Sequence, residues 1–210
     1  YKNFGEEILE RQQLRFSFNK NLVSNESIDK WTEEVYAEIE PSVSGKFKWV
    51  LPNELLFSPD SGFLPATAYK IKFTDKLLQH LPNAVNYDLG PNMSFQCRTP
   101  NLQIMEARSF WAVNEQQQAE LRLVLDFNYP VSTPTLLPRL AIAMGNIPFT
   151  YTLLSQEASK VIEVALHIDS LSNIEHQLLK IHVDPGVELP SSSKTESEEL
   201  ATETEIPSKK

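Results

Sequence analysis

The sequence predicts an all-β fold, and three observations carry that prediction. Apolar residues alternate with polar ones at period two through most of the 210 residues, whereas helical spacing is hard to find. Fourteen prolines punctuate the alternating runs, which suits short strands joined by turns rather than helices. The two halves also echo each other. Phe18-Asn19-Lys20-Asn21-Leu22-Val23-Ser24 returns as Phe127-Asn128-Tyr129-Pro130-Val131-Ser132, each after a run containing Leu-Arg, at Leu14-Arg15 and Leu121-Arg122. A duplicated unit of about 100 residues has the size of an immunoglobulin-type sandwich. The expected architecture is therefore two tandem immunoglobulin-like antiparallel β-sandwiches, over residues 1–100 and 101–187.

In the first half, Leu14, Phe16 and Phe18 alternate with Arg15 and Ser17, and Val35, Ala37 and Ile39 alternate with Tyr36, Glu38 and Glu40. Each run reads as a strand with one buried face. Phe47, Trp49 and Leu51 run into Pro52-Asn53, after which Leu55 and Phe57 resume the alternation, which predicts a hairpin. Tyr69, Ile71 and Phe73 follow Pro65, and Phe95 and Cys97 close the set before Thr99-Pro100. Phe18, Trp49, Phe57, Tyr69 and Ile71 are expected to share one core.

The second half repeats the logic. Leu121, Leu123, Leu125 and Phe127 alternate, and Leu140, Ile142 and Met144 lead through Gly145-Asn146 into Ile147, Phe149 and Tyr151, a second hairpin signal. Ile162, Val164, Leu166 and Ile168 form another run, and Leu179, Ile181 and Val183 the last before Asp184-Pro185-Gly186. Leu56-Phe57-Ser58 ahead of Tyr69-Lys70-Ile71 has a looser counterpart in Leu166-His167-Ile168 ahead of Leu179-Lys180-Ile181. Residues 188–210, rich in Ser, Thr, Glu and Lys, offer little apolar surface to offset chain entropy, so they read as a polar linker or the start of a following domain.

Net charge is -9, which argues against the phosphate-neutralising patch that nucleic-acid binding needs. No apolar run approaches the roughly 20 residues of a membrane helix. Residues 1–10 lack the zones of a signal peptide and Tyr1 is not methionine, so an export signal has been removed or the chain is an excised fragment. Cys97, the single cysteine, excludes an internal disulfide.

A search for chemistry yields no Gly-rich phosphate loop, no Gly-x-Ser-x-Gly elbow and no His-Glu-x-x-His helix. His80, His167, His176 and His182 lack metal-ligand spacing, although His167 and His182 are candidates to meet across paired strands. Cys97 reads as a buried inert thiol, with a reactive nucleophile as the sharper alternative. Asp60-Ser61-Gly62 and Asp184-Pro185-Gly186 read as turns rather than calcium loops. Asn25-Glu26-Ser27 and Asn92-Met93-Ser94 fit the short N-glycosylation pattern. Trp31, Trp49 and Trp111 are candidates for a sugar platform, with Trp49 better placed as core. The expectation is no catalytic, cofactor-binding or metal-binding residue, no cofactor, and no enzyme activity.

One stretch has a family character. Ile39-Glu40-Pro41-Ser42-Val43-Ser44-Gly45-Lys46-Phe47-Lys48-Trp49-Val50, then Leu55-Leu56-Phe57-Ser58-Pro59 and Leu64-Pro65-Ala66-Thr67-Ala68-Tyr69, resembles the amino-terminal macroglobulin-like modules of bacterial alpha-2-macroglobulin-like proteins. The second module resembles the same family through Phe127 to Val131 and Val183-Asp184-Pro185-Gly186. In this pattern Trp49 supplies an inward surface, Gly45 permits a turn, and Pro65 stops a strand ahead of Tyr69. The resemblance implies a non-catalytic structural and interaction segment of an envelope protein, periplasmic or surface-exposed, with a lipid anchor through a missing amino terminus as one option, whose relatives trap proteases. Its partners would be neighbouring modules and, through the whole protein, target proteases. The family's thioester is built on a Cys-x-x-Gln-type sequence, and this chain departs from it, since Arg98, Thr99 and Pro100 follow Cys97. The competing expectation is a surface adhesin or polysaccharide-binding protein on the same fold.

Overall fold

The computed structural model describes residues 1–81, 93–168, 171, 173–192, 194–196 and 198–209, with the side chain of Lys194 left aside. The chain is all-β and forms two immunoglobulin-like sandwiches, Tyr1–Pro100 and Asn101–Lys210.

In the first unit, β1 (Leu14–Ser17), β5 (Glu54–Pro59), β4 (Gly45–Leu51) and β2 (Trp31–Thr32) lie side by side in that order. The facing sheet runs β3 (Ala37–Glu40), β6 (Ala68–Phe73) and β7 (Ser94–Arg98). The leading segment divides between them: Lys2 bridges Phe16 antiparallel, whereas Glu7 bridges Arg98 in parallel. Strand alternation sets which side chains meet. Leu14, Phe16, Phe47, Trp49, Leu55 and Phe57 from one sheet are buried against Ala37, Tyr69, Ile71 and Phe73 from the other. Phe16 packs edge-on to Phe73 at 5.0 Å, and Tyr36 edge-on to Trp49 at 5.6 Å, the geometry the ring quadrupoles favour. Tyr69 adds a hydrogen bond at the turn into its strand: the Leu64 N–H donates to its hydroxyl at 2.7 Å, the tyrosine corner of immunoglobulin-like sandwiches.

The second unit has one sheet in the order β8 (Ile104–Val113), β9 (Ala119–Ser132), β13 (Ala158–Leu166) and β12 (Tyr151–Leu153). The other runs β11 (Ile147–Pro148), β10 (Leu140–Met144), β14 (Leu178–Val183) and β17 (Leu200–Glu205). A short helix, α1 (Thr133–Leu136), follows β9, and β15 (Glu188–Leu189) pairs with β16 (Lys194–Thr195). Strand for strand, β1, β3, β4, β5, β6 and β7 correspond to β9, β10, β12, β13, β14 and β17. The echoed Leu14-Arg15 and Leu121-Arg122 fall on the equivalent strands β1 and β9, whereas residues 18–24 lie past the end of β1 and residues 127–132 lie within β9. An ion pair is repeated in register as well. Arg15 Nη1 lies 2.7 Å from Glu54, which faces Ser17, and Arg122 Nη1 lies 2.9 Å from Glu163, which faces Val124. In both units the arginine reaches the glutamate opposite the residue two places on.

Four expectations need correction. Residues 188–210 are not a linker: β17 pairs with β14 along Leu200–Glu205, and Leu189 and Ile206 are completely buried. Alternation in Leu-Ala-Thr-Glu-Thr-Glu is polar on both faces, so composition concealed a strand whose burial comes from the residue that follows it. Gly45 makes no turn. It opens β4, and a Cβ there would lie 2.5 Å from both Phe57 Cζ and the Ser58 carbonyl oxygen, so the missing side chain is the space the Phe57 ring fills. Val35 precedes β3 and is 46% exposed, while Tyr36 turns inward instead. Ile147, Phe149 and Tyr151 do not share a strand, because the chain changes sheets after Pro148.

Candidate functional site

The constellation closest to chemistry lies where the chain's last residues meet the start of β14. Ser208 Oγ is 2.8 Å from His176 Nε2, and His176 Nδ1 is 2.8 Å from Glu205 Oε1. The local fold explains the placement: the His176 N–H donates to the Ile206 carbonyl at 2.7 Å and the Ile206 N–H to the Gln177 carbonyl at 2.9 Å, continuing the β14–β17 ladder. A hydroxyl, an imidazole and a carboxylate in line are the elements of nucleophilic hydrolysis. Two features describe its surroundings. The side chains of His176 and Glu205 are 65% and 58% exposed, so water screens the carboxylate's pull on the imidazole. The hollow nearby, about 580 Å³, is lined by Trp111, Glu175, Gln177 and Lys209, while His176 and Ser208, the alternate residues, do not line it. What the arrangement does is fasten the chain beyond β17. Ser109 Oγ and Trp111 Nε1, on β8, donate to the Glu205 and Pro207 carbonyls at 2.6 and 2.8 Å, and Lys209 Nζ sits 5.2 Å from the Trp111 ring centre. Sequence spacing gave no hint of this cluster, since Ser208 and Glu205 stand in the segment read as a linker.

Cys97 points into the first core from β7 and is buried. Burial pushes its thiol up, opposed in part by the Lys2 ammonium, so it stays protonated near neutral pH. Beside it is a hollow of about 550 Å³ on the β6–β7 side, where Glu6 and Glu40 stand among Lys70, Gln96 and Arg98. The outward row is charge-matched, with Glu40 opposite Lys70 and Glu38 opposite Lys72.

The remaining candidates are placed as follows. His167 hydrogen-bonds Thr150 and Thr152 beside β13, whereas His182 lies on β14 in the other sheet, 3.0 Å from Asp184; the expected meeting across paired strands does not occur, because β13 and β14 belong to different sheets. His80 is exposed next to Gln79. No group of three or more His, Cys, Asp and Glu side chains able to hold a metal is found among the described residues. Asp184-Pro185-Gly186 is a turn held by Arg139, whose Nε donates to the Pro185 carbonyl at 2.9 Å. Gly62, at φ +96°, completes the Asp60-Ser61-Gly62 turn against the Glu10 carbonyl, where a Cβ would not fit. Asn25 is exposed on a short 3₁₀ turn, and Asn92 lies outside the described residues. Trp49 is buried, Trp111 is half-buried, and Trp31 is 49% exposed with Lys48 Nζ 5.0 Å from its ring centre.

Buried polar side chains serve the backbone. Thr67, Thr99 and Thr133 donate to the carbonyls of Pro65, Leu64 and Glu157 at 2.7, 2.6 and 3.1 Å. Glu196, buried, accepts the Leu102 N–H at 2.8 Å and the Glu198 N–H at 3.1 Å. No helix among the described residues is long and apolar enough to cross a membrane. Comparison with known protein families and with curated proteins gives no match to this chain.

Proposed function

We propose that this chain is a non-catalytic structural and interaction segment of a bacterial alpha-2-macroglobulin-like protein of the cell envelope, a kind of protein whose relatives trap and inhibit proteases. The observation that carries the reading is the tandem itself: two sandwiches that share six strands in the same order, with an Arg–Glu pair at the same diagonal of the same two strands. Serial copies of one module are the means by which large extracellular proteins space and present their working parts. The residues behind the family resemblance have architectural tasks, since Gly45 admits Phe57, Trp49 fills the core and Tyr69 secures a corner. On this reading the trapping chemistry belongs to other parts of the parent protein, and the partners of this segment are neighbouring modules.

The test compares the parent protein with this chain. The parent, mixed with an active protease, should shield it from a protein substrate while leaving cleavage of a small peptide intact; the 210-residue chain alone should alter neither. Cys97 should react with a thiol reagent only after denaturation. Stoichiometric inhibition by the chain alone, or fast labelling of native Cys97, defeats the non-catalytic reading, and a parent that shields nothing defeats the protease-trap reading. A surface glycan-binding protein is the second reading, favoured by the half-exposed Trp31; quenching of its fluorescence by cell-wall polysaccharide would establish it.

A further inference from the structure

The outer strand β3 has an open side. It pairs with β6 alone, and the Thr74 N–H donates to the Tyr36 carbonyl, so in an antiparallel ladder the alternate residues Ala37 and Ile39 direct their backbone N–H and C=O groups away from β6. No backbone hydrogen bond joins Ala37 or Ile39 to another described residue on that side. Next to the open edge is a hollow of about 440 Å³ between the two sheets, with Val35, Ile39, Val43 and Phe47 on its apolar walls. Across it, β4 is also uncovered at its start, because β2 pairs only with Phe47 and Lys48.

Charge decides what fits. Of the charged groups at the hollow, Lys46 is 3.8 Å from Glu33, Glu38 stands opposite Lys72 on β6, and Asp60 adds a further carboxylate. A second copy of β3 would set Glu38 and Glu40 against their own kind, and like charges directly opposite destabilise a pair. The opposite side of β3 shows the complementary pattern: β6 brings Lys72 to Glu38 and Lys70 to Glu40, with Tyr69, Ile71 and Phe73 buried between them. A short acidic edge resists self-pairing and accepts a basic strand.

We propose that the open edge of β3 is a docking site for an extended segment of a partner protein in which basic and apolar residues alternate. The segment adds as a strand, its backbone bonding to Ala37 and Ile39, its apolar residues entering the hollow and its basic ones facing Glu38 and Glu40. This inference stands on the geometry of β3 and does not rest on the envelope reading above.

The probe is a fluorescent peptide with the sequence of Ala68–Thr74, titrated into the intact chain by anisotropy. Binding should saturate below about 1 mM. The same peptide with both lysines replaced by glutamate should bind at least about tenfold more weakly. Ala37→Pro, tolerated on a strand edge because only the outward N–H is lost, should weaken binding by a similar factor. So should Val35→Lys, at a half-exposed residue outside the strand, which keeps the test decisive if the proline variant does not fold. Added peptide should slow amide exchange at Ala37 and Ile39. Absence of saturation, equal binding of the two peptides, binding undiminished by Val35→Lys, or protection at another strand would overturn the proposal.

Discussion

Ile206→Ala tests whether the chain's last strand is structural. Ile206 is completely buried just past β17, and its backbone is bonded on both sides, to His176 and Gln177. Removing its outer carbons empties a site that neighbouring strands cannot refill, since β14 is fixed by pairing with β10 and β17. The cost for a buried isoleucine is about 2–5 kcal/mol, a large share of the roughly 5–15 kcal/mol that holds a domain of this size together. Amide exchange read by mass spectrometry resolves the two units separately. Globally opening amides of Asn101–Lys210 should exchange about 30-fold to several-thousand-fold faster, while those of Tyr1–Pro100 keep their rates. A change of less than about fivefold in the second unit, corresponding to under about 1 kcal/mol, would mean that residues 200–206 are not held as a strand, and the linker reading would return.

Three further outcomes follow from the packing. Trp49→Ala should destabilise the first unit by about 3–5 kcal/mol, measured by urea denaturation; a loss under about 1 kcal/mol would place the indole on the surface. Gly45→Ala should cost about 1–3 kcal/mol in the same experiment, because the added methyl meets a ring and a backbone carbonyl at 2.5 Å; an unchanged midpoint would show that β4 shifts freely. Burial raises the phenols of Tyr36, Tyr69 and Tyr151, the first also through the neighbouring Glu34 carboxylate. Their folded pKa values lie above the unfolded value of about 10, so the stability that the neutral phenols contribute is fully present below pH 10 and is lost as pH rises through the folded values. Ionisation of these three phenols, read by tyrosinate absorbance, should therefore rise together with unfolding; their ionisation in a still-folded chain would contradict this.

Alternation made the strands with one apolar face legible. Leu14 and Phe16, Tyr69, Ile71 and Phe73, Leu121, Leu123 and Leu125, and Leu179, Ile181 and Val183 are all inward, because a period of two on a half-buried sheet leaves no other register. The edge strand β17 was not legible, and for a physical reason. An edge strand carries polar residues on more than one side, as in Leu200–Glu205, and its position depends on a partner distant in sequence. The same holds for Gly45, whose role depends on Phe57 lying against it, and for Tyr36, which turns inward where the alternation gave that place to Val35. The repeat was more informative than any single strand, since the echoed Leu-Arg pairs land on equivalent strands.

The distribution of polar groups explains why the sequence shows strands clearly and chemistry hardly at all. A site for covalent chemistry needs a polar side chain held out of water but released from structural duty, and in the described residues named next the two conditions separate. Thr67, Thr99, Thr133 and Glu196 are held out of water and committed to backbone partners. Ser208, His176 and Glu205 have the alignment of a reactive group but stand in solvent, and they do not line the hollow next to them. The apolar hollows have the converse character: the one beside β3 is walled by Val35, Ile39, Val43 and Phe47, with carboxylates at its margin and an unpaired backbone edge along it. Such a surface offers hydrogen bonds and burial to another chain without transforming it. On the proposed reading, recognition rather than covalent chemistry is the role of this segment, and the proposed docking edge of β3 is where charge and shape would be matched.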